Sequence, residues 1–283
     1  MGGIFPALLS RGVSLQQVRE AATVMLLRQG ANGIEVLMMR RNLNLEFVGG
    51  AYVFPGGKVD KADRDPEVLK RSLNLGDLEC SQMLGVSSGG AGYFVAAIRE
   101  CFEEAGIFIG TRSGGTAPTE AELSQAREDL LAKRSDFVGV LKKEDLYLDL
   151  SQLVYMAHWI TPQSQPKRYD TRFFVARAPS GQLGTHDDSE TVSHVWIDPN
   201  EALSKAKVEG FSIVLPTRQN LKAISSYETV DEALLGALRS KKSVVVPKLV
   251  RGPAGLELIL PWEVGYDEAE IAELEPGESM ENP

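Results

Sequence analysis

Residues 99–107 read Arg-Glu-Cys-Phe-Glu-Glu-Ala-Gly-Ile, and they place three carboxylates close together in the chain. On a helix, Glu104 lies four residues and Glu103 three residues after Glu100, so all three side chains share one face. Carboxylates this close repel one another when they are ionised. A divalent cation relieves that repulsion, and carboxylate oxygens suit Mg²⁺ or Mn²⁺. The alternative is an ordinary acidic helix face in contact with water.

Apolar residues around this stretch predict the helix itself. Val95, Ile98 and Phe102 recur at helical spacing and form one stripe opposite the carboxylates. The pattern predicts a helix over 95–108, which Gly110 can end.

Two features outside the acidic triplet favour the metal-binding interpretation. Arg99 precedes Glu103 by four residues, and we expect it to orient that carboxylate by a charge-assisted hydrogen bond. Upstream, Gly56 and Gly57 follow a strand-like stretch, where glycine lets backbone N–H groups approach a phosphate or a helix closely.

Composition limits the class of protein. The chain has 283 residues, 43% of them hydrophobic, which is enough to form a core and excludes a wholly disordered protein. The formal net charge of −9 argues against non-specific binding to nucleic acid or to an anionic membrane. Seven acids and no Lys or Arg lie in residues 266–283, so the rest of the chain carries a charge of −2. We expect a single domain over 1–265, followed by a flexible acidic tail.

The chain lacks the usual signals of an exported or membrane-spanning protein. Its two cysteines, Cys80 and Cys101, are too few for a disulfide framework. No apolar run reaches the roughly 18 residues that a membrane helix needs, and no signal peptide is apparent. The expected location is therefore the cytoplasm.

Strand-like and helix-like stretches alternate along the chain. Short apolar runs at 22–28 and 34–41 predict a hairpin. Thr119, with a glutamate three residues later, predicts a helix start within a helical segment at 118–144. Two further helices are expected near the C-terminus. This order predicts an α/β or α+β fold with a mixed sheet.

Gly57, Asp63 and residues 99–107 together resemble the Nudix box, G-x5-E-x7-R-E-U-x-E-E-x-G-U, in which U is a bulky apolar residue. Asp63 stands where Glu is usual. The gap between Asp63 and Arg99 holds 35 residues instead of seven, so the motif carries an insertion, which we assign to residues 64–92. A box split in this way is similar to that of the coenzyme A diphosphatase subgroup.

The resemblance implies a Nudix α/β/α sandwich with a mixed β-sheet, a helical insertion and C-terminal helices. It also implies Mg²⁺- or Mn²⁺-dependent hydrolysis of a diphosphate linkage in a nucleoside diphosphate derivative. In this family pattern the metal would be held by the Gly56 carbonyl and by Glu100, Glu103 and Glu104. Arg99 and Glu103 would belong to the catalytic set.

Many Nudix enzymes place one more carboxylate on a later strand, as a metal ligand or general base. Glu190 is the candidate for that role. Asp187 and Asp188, in the same loop, are the alternatives, and all three could equally be ordinary loop acids.

The resemblance implies coenzyme A or an acyl-CoA as substrate, and the sequence supports this only in part. Arg41, Gly50 and Phe54 match the spacing of the CoA-type signature, whereas Glu46 replaces its second Arg and Met39 its Thr. A diphosphatase acting on ADP-ribose or NADH, and a non-catalytic nucleotide-binding regulatory module, remain alternatives.

The partner expected from the resemblance is a small-molecule nucleotide, and the net charge leads us to expect neither nucleic acid nor membrane as a partner. The insertion is expected to be either a cap over the substrate or the surface of a homodimer. Candidate substrate contacts are Arg40, Arg41, Gly57 and Arg172. Each arginine is alternatively a surface charge or part of a salt bridge, and the glycine is alternatively a turn residue.

Overall fold

The structure is a computed structural model that describes residues 18–43, 49–187, 190–208, 210–253 and 255–274. Its strands are β1 (Arg19–Gly30), β2 (Gly33–Arg41), β3 (Tyr52–Val53), β4 (Gly56–Lys58), β5 (Ser72–Leu73), β6 (Gly110–Arg112), β7 (Leu146–Asp149), β8 (Val154–Ile160), β9 (Tyr169–Arg177), β10 (Thr191–Ile197), β11 (Val244–Val245), β12 (Lys248–Gly252) and β13 (Gly255–Ile259). Its helices are α1 (Pro66–Leu69), α2 (Asp77–Leu84), α3 (Ala91–Ala105), α4 (Glu120–Leu131), α5 (Phe137–Lys143), α6 (Pro199–Lys205), α7 (Leu215–Ile224) and α8 (Val230–Arg239).

The central element is a mixed sheet with the order β10-β2-β1-β9-β8-β11, to which β3 adds beside β2 and β4 beside β1. The predicted hairpin is present, since β1 and β2 pair antiparallel around a two-residue turn. The β1–β9 and β8–β11 pairs are parallel. In this sheet β4, which carries the two glycines, lies directly beside the start of β1.

Apolar side chains cover both faces of this sheet, as the alternation along β2 shows. Leu37 and Met39 belong to a core that packs against α3, whereas Val36 and Met38 belong to a second core that includes side chains of α6, α7 and α8. Helices therefore flank the sheet on each side, and the predicted α/β/α sandwich with a mixed sheet is confirmed.

Helix α3 is displaced along the chain from the predicted 95–108. It begins at Ala91, because the carboxylate of Asp77 accepts the N–H groups of Gly89 and Ala91, both at 2.9 Å. It ends at Gly106, whose φ of 66° lies in the left-handed region that glycine adopts readily. The end predicted at Gly110 is therefore wrong, since the nearer glycine stops the helix first.

The segment 64–92 folds into α1, β5 and α2, and the segment 118–144 contains α4 and α5. Helix α2 packs so tightly against the start of α3 that a Cβ on Gly90 would lie 2.3 Å from the backbone nitrogen of Ser81. The segment between the two halves of the motif is thus an integral support of α3.

The acidic tail starts later than the sequence suggests. Lys248 of β12 donates to the carbonyl of Tyr266 at 2.6 Å, and the N–H of Ala272 donates to the carbonyl of Leu249 at 2.7 Å. Residues 266–274 are therefore attached to β12, and the remainder of the predicted tail lies outside the described residues. Within the described ranges, the helices are all too short or too polar to span a bilayer.

Candidate active site

A buried ion pair joins α3 to the chain that follows β4. Arg99 donates through Nε and Nη2 to the two carboxylate oxygens of Asp63, at 2.7 and 2.9 Å, and Nη2 also reaches the carbonyl of Lys58 at 3.0 Å. Asp63 is 1% exposed and also accepts the N–H of Asp60 at 2.7 Å. This two-point contact fixes the guanidinium in one orientation.

The remaining guanidinium nitrogen of Arg99 faces the acidic helix surface. Nη1 lies 2.9 Å from a carboxylate oxygen of Glu100 and 3.3 Å from one of Glu103, so the expected contact with Glu103 is present but is the longer of the two. Burial alone would lower the pKa of Arg99, but the hydrogen bond to Asp63 and the nearby carboxylates raise it above its usual value. The arginine therefore stays charged and orders its neighbours.

Glu104 is directed toward the glycine turn. Its carboxylate accepts the N–H of Gly56 at 3.0 Å, and the residue is 5% exposed. Gly56 can lie this close to β1 only without a side chain, because a Cβ there would be 2.5 Å from the carbonyl oxygen of Ala22. Burial, and then the charge of Glu100, hold the pKa of Glu104 well above its usual range.

Glu100 lies against Gly57. A Cβ on Gly57 would be 2.5 Å from the carboxylate carbon of Glu100, so this glycine makes room for a helix side chain. Burial raises the pKa of Glu100 to about 7, and burial also raises the pKa of Glu103. The predicted role of Gly57 as a substrate contact stays a prediction, since the contact that the structure shows is with Glu100.

These residues fit a divalent cation that takes few ligands from the protein. Within the described ranges, no three His, Cys, Asp or Glu side chains form a ready-made metal cage. Mg²⁺ commonly uses one or two carboxylates and completes its shell with water and substrate phosphate. Glu100 and Glu104 lie close enough together that the charge of Glu100 raises the pKa of Glu104, and the N–H of Gly56 binds Glu104. The carbonyl of Gly56 stays a predicted ligand. Such a cation would offset the repulsion between these desolvated carboxylates.

Replacing Gly57 with Ala is expected to reduce activity about tenfold or more and leave the fold intact. The new methyl group would displace the Glu100 carboxylate, a flexible side chain that can move aside at little cost in stability. The measurements are the rate of the expected diphosphate hydrolysis and the thermal unfolding of the variant. Gly85→Ala is a control for adding a methyl group, since it meets nothing within 4 Å, although its left-handed backbone will cost some stability. Equal rates in wild type and Gly57→Ala would contradict this account.

The structure describes two of the three candidates for the additional carboxylate. Glu190 is exposed, and its charge contributes to raising the pKa of Glu104. Asp187 uses its carboxylate to bind the backbone N–H groups of Glu190 and Thr191, at 3.2 and 2.8 Å, and so shapes the loop. Asp188 lies outside the described residues. Of the two described candidates, Glu190 is the one whose charge acts on Glu104, and its role as ligand or general base stays a prediction.

The two arginines at the end of β2 lie on opposite faces of the sheet. Arg41 follows Leu37 and Met39 on the α3 side, and its charge lowers the pKa of Glu104. Arg40 lies on the other face, beyond Met38. Of the predicted pair, only Arg41 is beside the acidic cluster.

Arg172 lies further along the sheet. Ala22 pairs with both Gly57 and Arg172, so the latter two are two strand spacings apart, about 10 Å. Arg172 is 4% exposed, contacts His158 and Asp170, and lines a cavity of about 310 Å³. Its backbone is thus two strands away from Gly57, and its predicted role as a substrate contact stays a prediction.

Two further residues of the site were not found by sequence reasoning. Asp77 fixes the start of α3, and Arg127 of α4 binds its end. Each side chain binds backbone groups of another segment of the chain, and no rule of sequence spacing predicts such contacts. Cys101 is fully buried in α3, and burial raises the pKa of its thiol, as expected for a packing residue.

Comparison with known proteins identifies the family. A family model described as the NUDT19 Nudix domain matches residues 79–224. The chain belongs to this Nudix family. The match includes the acidic part of the box and Glu190, and it begins after the Gly57 and Asp63 positions. The expected relation to the coenzyme A diphosphatase subgroup is confirmed.

Curated relatives agree with this assignment. The chain is 24% identical over 233 residues to an acyl-coenzyme A diphosphatase NUDT19 of Xenopus laevis, covering 70% of this chain and 61% of that protein. It is 26% identical over 268 residues to the protein of the same name from Gallus gallus, covering 77% and 71%. A putative nudix hydrolase 7 of Caenorhabditis elegans is 26% identical over 216 residues, covering 75% and 62%. The chain thus spans just over three fifths of the Xenopus and Caenorhabditis relatives.

A solved structure supports the fold. The crystal structure of a NUDIX hydrolase from Alicyclobacillus acidocaldarius is 28% identical, with a TM-score of 0.61. The alignment covers 78% of this chain and 97% of that one. The Nudix architecture predicted from the box is therefore confirmed.

Proposed function

We propose that this protein hydrolyses the diphosphate linkage of a nucleoside diphosphate derivative with Mg²⁺ or Mn²⁺, and that the derivative is coenzyme A or an acyl-CoA. The observation that carries the proposal is the convergence of α3 and the glycine turn. There Arg99 holds Glu100 and Glu103, and Glu104 accepts the N–H of Gly56. The names of the relatives support the choice of substrate.

The cation would be held by Glu100, Glu104 and the Gly56 carbonyl, and when bound it would offset negative charge on the diphosphate oxygens. The chain's own residues would do the rest. Arg41, beside Glu104, would bind a phosphate oxygen, and Glu190 would accept the proton of the attacking water. Hydrolysis needs no covalent intermediate with the protein, so these groups act by position and charge.

The retained carboxylates also bear on the non-catalytic alternative. A module that only binds a nucleotide has no need of desolvated acids that repel one another, since each costs stability when it is ionised. In this chain, Glu100 and Glu104 have raised pKa values because of burial, and Arg99 is itself buried beside them. That cost is accounted for if a cation and a phosphate bind there.

The decisive experiment is a hydrolysis panel with coenzyme A, an acyl-CoA, ADP-ribose, NADH and a dinucleoside polyphosphate, each with Mg²⁺ and with Mn²⁺. Reactions in ¹⁸O-labelled water, analysed by mass, identify the bond cleaved and the phosphorus attacked. The highest kcat/KM is expected for the CoA compounds. Faster hydrolysis of ADP-ribose or NADH would overturn the substrate assignment. Nucleotide binding without any product would instead favour the regulatory module.

Arg41→Gln is expected to lower kcat/KM for the preferred substrate by about 10- to 100-fold, the loss of one charge-assisted hydrogen bond to phosphate. Its Nε, like that of Arg40, is buried and makes no hydrogen bond in the part of the chain that the structure describes, so what distinguishes Arg41 is its place beside Glu104. Arg40→Gln is the matched control, because it makes the same change on the opposite face of the sheet. Similar kinetics in the two variants would contradict the assignment of Arg41.

A further inference from the structure

The C-terminal end of α3 has an unusually complete set of hydrogen-bond donors. The last four carbonyls of a helix have no partner within it. Here the carbonyl of Phe102 accepts the N–H of Gly106 at 3.0 Å, and that of Ala105 accepts the N–H of Thr185 at 2.8 Å. The two carbonyls between them belong to Glu103 and Glu104, the carboxylate-bearing residues of the site.

One side chain satisfies both of those carbonyls. Arg127 donates from Nε to the carbonyl of Glu103 at 2.9 Å and from Nη2 to the carbonyl of Glu104 at 3.0 Å. Its planar guanidinium makes two hydrogen bonds at once and therefore fixes an orientation, which a lysine ammonium would not do. Arg127 lies on α4, far from the Nudix box in sequence, so its contact joins two separate segments.

The position of this contact matters because Glu103 and Glu104 lie in the last turn of α3, where helices fray. A loosened turn would move the Glu104 carboxylate away from the N–H of Gly56. Functional groups of this kind need to be held within about 0.5 Å of the working geometry. The positive charge also complements the negative end of the helix dipole.

The same helix end anchors the loop that carries Glu190. The Thr185 N–H binds the Ala105 carbonyl, five residues before Glu190, and the carbonyl of Glu190 accepts the N–H of Asn42 at 2.9 Å. A defined end of α3 thus sets the position of the loop relative to Glu104.

We infer that Arg127 is a positioning residue of the active site, which acts through the backbone of Glu103 and Glu104 to fix where their carboxylates point. The inference rests on the proposed function, since it assumes that these carboxylates serve a divalent cation. It assigns to α4 a part in the site that lies outside the Nudix box. Arg127 binds backbone carbonyls of α3, and it contributes by holding other groups in place.

The test compares Arg127→Gln and Arg127→Lys with wild type. Three quantities are measured: Mn²⁺ affinity without substrate by electron paramagnetic resonance, the kinetic constants, and thermal unfolding. Arg127→Gln is expected to weaken Mn²⁺ binding and lower kcat, each by about 10- to 100-fold, as for other groups that orient metal ligands. Arg127→Lys keeps the charge without the two-point contact, so intermediate values are expected.

Arg134→Gln is the matched control, since Arg134 follows the same helix and binds Glu128 and Asp129 on the surface. Wild-type Mn²⁺ affinity and kcat in Arg127→Gln, with only a lower melting temperature, would overturn the inference. If Arg127→Gln does not fold, wild-type Mn²⁺ affinity and kcat in Arg127→Lys would overturn the inference. Failure of the proposed function shows separately, as a wild-type protein that hydrolyses nothing in the panel.

Discussion

Glu104→Gln is expected to reduce kcat by at least about 100-fold while the protein stays folded. Gln has nearly the shape of Glu and can still accept the N–H of Gly56, so the packing of this 5% exposed side chain is preserved. What is lost is a negative charge that a cation would use, an interaction worth several kcal/mol in the transition state. Steady-state hydrolysis of the preferred substrate over a range of Mg²⁺ concentrations measures this.

The stability of Glu104→Gln has an expected sign as well. Burial and the charge of Glu100 raise the pKa of Glu104, which means that ionising it in the metal-free folded protein is unfavourable. A neutral Gln removes that cost, so the melting temperature without metal should be unchanged or higher. Glu128→Gln, the same substitution on the surface of α4, should leave the rate unchanged and alter stability by less than about 1 kcal/mol, because its ion pair with Arg134 is exposed. Near-wild-type turnover in Glu104→Gln would contradict the metal-ligand assignment.

Sequence reasoning succeeded where the information is local. The apolar stripe predicted the helix, and spacing alone placed Arg99 near Glu103, because both depend on neighbours within one or two turns. The predicted end of α3 was wrong because the sequence offers two glycines that could end it, Gly106 and Gly110. The structure shows that Gly106, already inside the box, is the one that adopts a left-handed backbone.

The alternation of side chains along β2 limits which of its arginines can belong to the site. Strand side chains alternate between faces, so Arg40 and Arg41 could not both be beside the acidic cluster. Identifying which face is which required α3 itself, whose contacts place Leu37 and Met39 on its side. A pattern can thus separate residues into two groups before it can say which group is functional.

Contacts between distant segments were beyond sequence patterns. Asp77 binds the start of α3 from inside the insertion, and Arg127 binds its end from α4. These contacts explain physically how a split motif keeps its geometry. The inserted segment interrupts the motif but supplies the start of α3, so the helix does not depend on a short connection to the glycine turn.

Asp63→Asn is expected to produce the largest loss of stability, about 3 kcal/mol, together with reduced activity. Removing one partner of a buried ion pair leaves the other charge uncompensated, and such losses are about 3–5 kcal/mol. Asp63 is 1% exposed and accepts two hydrogen bonds from Arg99, so the pair is both buried and in direct contact, as that estimate requires. Arg99 would retain Glu100 and Glu103, which favours the lower end of the range. Denaturant midpoints compared with wild type measure the change.

Asp60→Asn is the matched control, since it neutralises another aspartate facing Arg99. Its carboxylate is 65% exposed and lies 3.9 Å from the guanidinium, so the expected loss is below about 1 kcal/mol. Asp63→Glu, which restores the residue usual at this place in the Nudix box, should retain more stability than Asp63→Asn because the charge remains. Equal midpoint shifts in Asp63→Asn and Asp60→Asn would show that the buried pair is not what holds Arg99. The orientation of Glu100 and Glu103 would then need another cause.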